Sequence, residues 1–301
     1  MLDLSRELCN KIVDGMLVCP ICRSRMSVSD DLHSLICTGE LDGSRRHCFD
    51  GGAGGYVSLC RNGGGGDSKE AVHARSGFLG AGYYSPAADA LVETVAEYVP
   101  KDSLVIDAGC GEGYYSNRIV GAGYYVFGAD LSKFAVDSAA KAARRERLSS
   151  DAEDAQSRTA YAVASVFELP VSDGCADCVV NMFAPCAPEE YARVLKDDGI
   201  LIVGGAGERH LVGLKQVLYD DVYLNDERHD LPNESDGILE LVEKREVRFE
   251  ITVTGREDID ALFSMTPYYW RTSRDGRERL AACESLVTEV AFDLSVYRKK
   301  K

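Results

Sequence analysis

The stretch VIDAGCGEGYYS, Val105–Ser116, joins a short apolar run to an aspartate and three glycines at alternating positions. Leu104–Ala108 is apolar and β-rich, which predicts a buried strand, and a helix is expected after the last glycine. Gly109, Gly111 and Gly113 can adopt positive φ, so their backbone can approach a ligand closely. A strand, a glycine turn and a helix N-terminus in succession are typical of a nucleotide-type site.

Two acidic residues accompany this turn. Asp107 lies at the carboxyl end of the predicted strand, a place that suits a cationic ligand better than a pyrophosphate. S-adenosylmethionine (SAM) carries an ammonium and a sulfonium and has no phosphate. Asp130 closes a second predicted strand, Tyr124–Ala129, where a carboxylate can accept hydrogen bonds from both ribose hydroxyls. The alternatives are a plain glycine turn and, for Asp130, an N-cap of a helix over Ser132–Ala143.

Helix and strand signals alternate after the glycine turn, which is typical of a doubly wound parallel sheet. Strands are predicted at 103–108, 124–129, 159–164, 177–182 and 198–204, and helices at 86–98, 114–121, 132–146, 188–195 and 208–218. The segments EVRFEITVTG and LVTEVAFDLSVYRK alternate like antiparallel final strands. The predicted fold class is therefore α/β, a Rossmann-like class I SAM-dependent methyltransferase sheet.

The N-terminal region holds a separate cysteine pattern. Cys19 and Cys22 form a Cys-x-x-Cys pair, followed by Cys37 and by the adjacent His47 and Cys48. Such ligands can form a tetrahedral zinc site, and zinc would stabilise a segment too short to build much core. The fourth ligand is either His47 or Cys48, and thiol exchange at Cys19 and Cys22 is the alternative function.

Dense glycine follows this region, and Gly63–Gly66 indicates a flexible connection. The predicted domains are a small N-terminal zinc-binding module at 1–62, a glycine-rich linker at 63–76 and a SAM-dependent methyltransferase domain at 77–301. The polar stretch YDDVYLNDERHDLPNESDG is expected to be a surface insertion.

Composition limits the classes that remain. No run of eighteen apolar residues indicates a membrane span and the N-terminus lacks a signal-peptide core, so a cytoplasmic protein with no membrane partner is expected. Eleven cysteines then indicate reduced thiols or a metal site rather than disulfides.

A net charge of −15 disfavours nucleic-acid binding. The charge is uneven, however: the first 76 residues carry nine Lys/Arg and ten Asp/Glu, whereas the other 225 residues carry 25 Lys/Arg and 39 Asp/Glu. A polyanion would meet less repulsion at the N-terminal region.

Two further segments carry candidate chemistry. The fourth predicted strand ends in NMFAPC, Asn181–Cys186, at the edge expected to face the methyl donor. Cys186 is a candidate nucleophile there, although a cysteine after proline more often serves packing. MTPYYWR, Met265–Arg271, places aromatic residues beside an arginine, which suits either stacking on an extruded base or anchoring of the core.

These segments together resemble the bacterial RlmA-type 23S rRNA (guanine-N1)-methyltransferases, including their macrolide-resistance relatives. The matching segments are CPIC with Cys37 and RRHCFD, GGYVSL, RSGFLGAGYYSP, DAGCGEGYYS, FGADLSK, FAPC, GERHL and MTPYYWR. Generic SAM enzymes share only the DAGCGEG and GADLS portions. The resemblance implies SAM-dependent methylation of guanine N1 in a hairpin of large-subunit rRNA. The alternatives are a small-molecule methyltransferase and a non-catalytic RNA-binding protein.

The resemblance also implies site residues. The zinc ligands would be Cys19, Cys22, Cys37 and His47, which leaves Cys48 outside the metal site. Besides Asp107, Gly109, Gly111 and Asp130, the cofactor contacts would be Tyr84, Tyr115, Ser116 and His210, with Ser165 where related enzymes place an aspartate on the adenine amine. Candidates to accept the guanine N1 proton lie at the Asn181–Pro185 edge: Asn181 and the Pro185 backbone carbonyl. The candidate RNA phosphate contacts are Arg23, Arg25, Arg45 and Arg46, and a homodimer is left open.

Overall fold

The computed structural model describes residues 3–41, 43, 45–61, 65–149, 157–225 and 237–300. Residues 63 and 64 of the predicted linker and most of the predicted surface insertion (226–236) lie outside these residues. The helices are α1 (Leu4–Glu7), α2 (Asn10–Met16), α3 (Lys69–Gly80), α4 (Ser85–Tyr98), α5 (Tyr114–Gly121), α6 (Lys133–Ser149), α7 (Pro188–Val194), α8 (Val212–Leu218), α9 (Arg256–Ser264), α10 (Tyr268–Arg271) and α11 (Arg274–Ala281). The strands are β1 (Met26–Val28), β2 (Ser34–Cys37), β3 (Cys48–Asp50), β4 (Val57–Ser58), β5 (Leu104–Ala108), β6 (Tyr125–Asp130), β7 (Thr159–Val163), β8 (Ala176–Met182), β9 (Leu195–Ala206), β10 (Leu239–Thr254) and β11 (Ser285–Lys299).

The larger sheet has the strand order β10-β11-β9-β8-β5-β6-β7-β4. β5 runs parallel to both β6 and β8, whereas β11 runs antiparallel to β9 and β10. The chain passes outward from β5 to β7 and returns to β8 on the other side of β5, so the strand order switches there. This is the mixed, Rossmann-like topology predicted from the sequence. Ligands of such sheets bind at the carboxyl ends of the strands beside the switch.

Alternation along the central strands separates two hydrophobic cores. Val105 of β5 belongs to the core on one face, together with Leu91 of α4. Ile106 of β5 and Phe127 of β6 belong to the core on the other face, together with Ile12 of α2. Both faces of the central strands are therefore covered, and the polar ends of the strands remain as the place for a site.

The N-terminal region joins this second core. β1, β2 and β3 form a small antiparallel sheet, and β4 adds a parallel edge strand to β7. The backbone N–H of Val18 donates to the Pro170 carbonyl and that of Ser172 donates to the Met16 carbonyl, both at 2.9 Å. The division into 1–62, 63–76 and 77–301 stays a prediction, and the structure adds that the first of these segments shares its core with the last.

Two local differences from the predicted elements have simple causes. The predicted linker is helical from Lys69, because Ser68 caps α3 by accepting a hydrogen bond from the Ala71 N–H at 3.3 Å. The helix predicted at 208–218 begins only at Val212, because the preceding Leu211 has a φ of 57°. Among the described helices, none is both long and apolar enough to cross a membrane.

Candidate functional site

The glycine turn between β5 and α5 depends on its glycines. Gly109, Gly111 and Gly113 have φ values of 84°, 53° and 79°, a region that other residues rarely occupy. A Cβ atom on Gly109 would overlap with the side chain of Ala184, and one on Gly113 would lie 2.9 Å from the Cβ of Ala139. The turn is therefore shaped by backbone conformation and close packing before any ligand binds.

Asp107 is a buried carboxylate at the start of this turn. The Ser116 hydroxyl donates to its Oδ2 atom at 2.5 Å. Burial, with a smaller contribution from the nearby charge of Asp130, raises the pKa of Asp107 to about 7. A carboxylate that is this poorly solvated favours a cationic ligand, so the position suits the ammonium group of SAM.

Asp130 connects the end of β6 to the glycine turn. Its Oδ1 accepts from the Ser132 N–H at 2.7 Å and its Oδ2 accepts from the Gly111 N–H at 3.1 Å. The N-cap of α6 is Ser132, whose hydroxyl accepts from the Ala135 N–H at 3.3 Å. Each Asp130 oxygen keeps a further lone pair, so the carboxylate can still accept hydrogen bonds from a ribose diol.

Three of the remaining predicted cofactor contacts, Tyr84, Tyr115 and His210, are close neighbours. The Tyr84 hydroxyl lies 3.5 Å from Nε2 of His210. The Ala291 N–H donates to Nδ1 of His210 at 3.3 Å, so a neutral imidazole carries its proton on Nε2, toward Tyr84. Burial raises the pKa of Tyr115 well above its usual value, and Tyr84 and Asp107 contribute to the rise. Tyr84 is therefore close to His210 and to Tyr115, and binding of the cofactor by these residues stays a prediction.

Ser165 lies two residues beyond β7, at the neighbouring strand end. Val163 pairs with Asp130, and the Ala164 N–H donates to the Asp130 carbonyl at 3.0 Å. The Ser165 hydroxyl accepts from the Phe167 N–H at 3.2 Å. The residue is thus on the correct edge, and its contact with an adenine amine stays a prediction.

A hydrogen-bonded network fixes the segment after β8. The Asn181 side-chain Nδ2 donates to the Pro185 carbonyl at 3.0 Å and to the Tyr191 hydroxyl at 2.7 Å, and that hydroxyl donates to the same carbonyl at 3.2 Å. The carbonyl of Pro185 would have to lose one of these bonds to accept a proton from a substrate. Oδ1 of Asn181 has no hydrogen-bond partner among the described residues, which makes it the more available acceptor. Burial raises the pKa of Cys186 to about 11, which disfavours a nucleophilic thiolate there.

Four potential metal ligands converge in the N-terminal region, and we call them the Cys–His cluster: Cys19, Cys22, Cys37 and His47. Their ligand atoms all lie within 4.8 Å of one another. Nδ1 of His47 is 3.5 Å from the sulfurs of Cys19 and Cys37, and the His47 N–H donates to the Cys37 sulfur at 3.0 Å. Cys48 is exposed and lies outside the cluster. Three sulfurs and one imidazole in this arrangement could hold a zinc ion.

Comparison with known proteins agrees with this geometry. Residues 106–203 match the model of the methyltransferase domain family Methyltransf_11. The Bacillus subtilis (strain 168) protein YxjB, whose name assigns it to the 23S rRNA (guanine-N1)-methyltransferases, is 30% identical over 305 residues, which cover 95% of this chain and 98% of that protein. The chain belongs to the 23S rRNA (guanine-N1)-methyltransferase family. The predicted family and its class I methyltransferase fold are thereby confirmed.

Other members of the guanine-N1 methyltransferase family match over a shorter range. The 23S rRNA (guanine(748)-N1)-methyltransferase of Streptomyces fradiae is 32% identical over 215 residues, which cover 69% of each chain. A Micromonospora griseorubida protein named for the guanine-N1 reaction is 32% identical over 219 residues, covering 66% of this chain and 68% of that protein.

Against this family background, the aromatic segment Met265–Arg271 has two parts. Tyr268 is buried, and its ring packs against Tyr219 at 6.3 Å between centroids. Trp270 is 83% exposed and its ring contacts that of Tyr269 at 5.0 Å. The anchoring function therefore applies to Tyr268, whereas Trp270 remains available for a partner.

Two basic side chains have partners that sequence analysis missed. Nε of Arg75 donates to both carboxylate oxygens of Glu112 in the glycine turn, at 2.9 and 2.8 Å. Arg23, a candidate phosphate contact, instead donates to the carbonyls of Leu169 at 3.3 Å and Val171 at 2.9 Å. Glu112 is visible in the motif, but nothing in the sequence indicates that Arg75, 37 residues earlier, is its partner. No local pattern indicated the second pair.

Proposed function

We propose that this protein transfers the methyl group of SAM to N1 of a guanine in a hairpin of large-subunit rRNA. The observation that carries the proposal is the similarity to YxjB over 95% of the chain, which includes the Cys–His cluster as well as the glycine turn. A small-molecule methyltransferase would need only the second of these.

SAM would be held mainly by acidic and aromatic groups. Asp107 would bind the ammonium and Asp130 the ribose hydroxyls, while the backbone of Gly109 and Gly111 permits close approach. Tyr84, Tyr115, Ser116 and His210 would border the cofactor, and Ser165 would approach the adenine. The bound cofactor supplies an electrophilic methyl group on sulfonium, so the task of the protein is to align the acceptor and to keep water away from the methyl group.

Methylation of N1 requires removal of its proton. N1 would receive the methyl group that the bound cofactor supplies, and the N1 proton would leave toward an acceptor. Oδ1 of Asn181 would accept a hydrogen bond from N1–H and so orient the ring. An amide oxygen is a weak base, so water would carry the proton away.

The Cys–His cluster would bind zinc and thereby hold the N-terminal region in place. The exposed residues Arg25, Arg45 and Arg46 would contact phosphates of the RNA, which would explain why the less acidic part of the chain is the N-terminal one. Trp270 would stack on an unpaired base.

A homodimer and a cytoplasmic location stay predictions. Sedimentation would test the first of these.

The test is transfer of tritiated methyl groups from SAM to unmethylated large-subunit rRNA, followed by nucleoside analysis. Label in 1-methylguanosine that is lost in Asp107→Ala supports the proposal. Intact SAM binding without label in RNA would instead favour a small-molecule substrate. SAM and RNA binding without any turnover would favour a non-catalytic RNA-binding protein.

A further inference from the structure

Phe183 follows β8 at the edge of the candidate site and has an unusual backbone. Its φ is 57°, a left-handed conformation that is strained for a bulky side chain. Its N–H donates to the Gly204 carbonyl of β9 at 2.9 Å, so the strain is imposed by pairing at the strand ends. The residue is nevertheless 49% exposed. The strained backbone therefore does not serve to bury this ring in the core.

The ring of Phe183 completes a group of four rings that we call the aromatic wall: Tyr84, Phe183, His210 and Phe292. Phe183 lies 4.8 Å from Phe292 and 6.1 Å from His210 between ring centroids. Tyr84 lies 5.2 Å from Phe292 and 6.1 Å from His210. The other three rings are buried. Phe183 is thus the member of the wall that presents its ring to an incoming molecule.

Phe183 lies between the predicted SAM site and the hydrogen-bonded network of Asn181 and Pro185. The next residue, Ala184, packs directly on Gly109 of the glycine turn. Asn181, two residues earlier, carries the side-chain oxygen proposed to face guanine N1. The inner rings Tyr84 and His210 are the predicted SAM contacts. A ring held here can therefore touch a substrate base while the inner part of the wall borders the cofactor.

We infer that the exposed ring of Phe183 stacks on the guanine that receives the methyl group, and that its left-handed backbone aims the ring at that base. This inference rests on the proposed function. Stacking of a base on an aromatic side chain tolerates any purine, so Phe183 provides binding and orientation, whereas discrimination of guanine is left to polar contacts. Loss of such a stack typically weakens binding by about 10- to 100-fold.

The experiment compares four variants in rRNA methylation, SAM binding and thermal unfolding. Phe183→Leu keeps apolar volume without a flat ring, Phe183→Tyr keeps the ring, and Phe183→Gly removes the ring and relieves the left-handed strain. Phe134→Leu is the matched control, because Phe134 is 50% exposed and lies in a helix. We expect Phe183→Leu and Phe183→Gly to lose about 10- to 100-fold in kcat/KM for RNA while SAM affinity and the unfolding temperature are retained. Phe183→Tyr should recover most of the activity that Phe183→Leu loses, and Phe134→Leu should remain close to wild type.

The outcomes separate this inference from the proposed function. Wild-type protein that fails to methylate rRNA would refute the proposed function. Active wild type with an equally active Phe183→Leu would overturn the stacking inference alone. Parallel loss of SAM affinity in Phe183→Leu would also overturn it, because the ring would then belong to the cofactor site. As a second readout, 2-aminopurine at the methylated position should increase in fluorescence on unstacking and be quenched again only when position 183 carries an aromatic ring.

Discussion

The glycine turn and the Cys–His cluster are two sites built in opposite ways. In the turn, three glycines with positive φ fix the backbone, and Asp107 is already held by Ser116. In the cluster, the ligands come from three separate segments: the Cys19–Cys22 loop, the end of β2 and His47 just before β3. The first site is shaped by the fold, whereas the second would itself shape the fold around it.

This difference predicts how each site fails. As zinc ligands the three cysteines would be thiolates, and thiolates as close together as the 3.7 Å between the sulfurs of Cys22 and Cys37 would repel one another without the cation. The turn has no such requirement, because its shape comes from hydrogen bonds and packing. Damage to the cluster should therefore be structural, and damage to the turn should be functional.

The largest effect is expected from removal of zinc. Structural zinc sites contribute about 10 kcal/mol or more of metal-binding free energy to folding. Chelation, or the Cys22→Ser change, should expose β1–β3 and loosen the core that they share with the larger sheet. Hydrogen exchange and thermal unfolding, together with zinc content, measure this. Cys48→Ser is the control and should behave as wild type. An unchanged unfolding temperature in metal-free protein would contradict the structural function of the cluster.

Asp107→Asn should have the next largest effect, but on binding alone. Loss of the charge that meets the SAM ammonium should weaken SAM affinity by about 100-fold or more. The fold should persist, because an amide oxygen can still accept from the Ser116 hydroxyl and a poorly solvated carboxylate is removed. Calorimetric titration with SAM and thermal unfolding of the ligand-free protein give the two quantities. A large fall in unfolding temperature would mean that the turn, like the cluster, depends on its side chains.

The pH dependence of stability and of SAM affinity should reveal the carboxyl group of Asp107. The pKa of Asp107 is raised to about 7 in the folded protein. The free energy of unfolding of the ligand-free protein should therefore fall as the pH rises from about 4 to about 7. The SAM ammonium favours the ionised form, so SAM affinity should rise with pH up to about 7. Lowering the pH from 8 to 6 should weaken binding by about tenfold. In Asp107→Asn this component should vanish, and an equal pH slope in both proteins would assign the effect to another group.

The same contrast explains what could be predicted from the sequence. The glycine turn, Asp107 and Asp130 follow from a local motif, because strand ends and turns are encoded by neighbouring residues. The pattern of three cysteines is equally local, but the choice of His47 over Cys48 required the resemblance, because adjacent residues point in different directions. The contacts of Arg75 with Glu112 and of Arg23 with Leu169 join distant segments, and no periodicity in the sequence predicts them. The strain at Phe183 arises from pairing between β8 and β9 and is likewise invisible in the sequence.

The smallest expected effect tests the connection between the cluster and the larger domain. Arg23 extends from the metal-binding loop to the carbonyls of Leu169 and Val171, and Arg193 donates to the same two carbonyls. Because Arg193 keeps both carbonyls satisfied, Arg23→Ala should destabilise the fold by only about 1 kcal/mol, with SAM affinity unchanged.

RNA binding then distinguishes the two functions considered for Arg23. If Arg23 only connects the N-terminal region to the sheet, Arg23→Ala should leave the salt dependence of RNA affinity unchanged. The double change of Arg45 and Arg46 to Ala should lower the slope of log affinity against log salt concentration by about two. A reduced slope in Arg23→Ala would mean that the guanidinium leaves its carbonyl partners for a phosphate. In that case the connection between the cluster and the sheet would be remodelled when RNA binds.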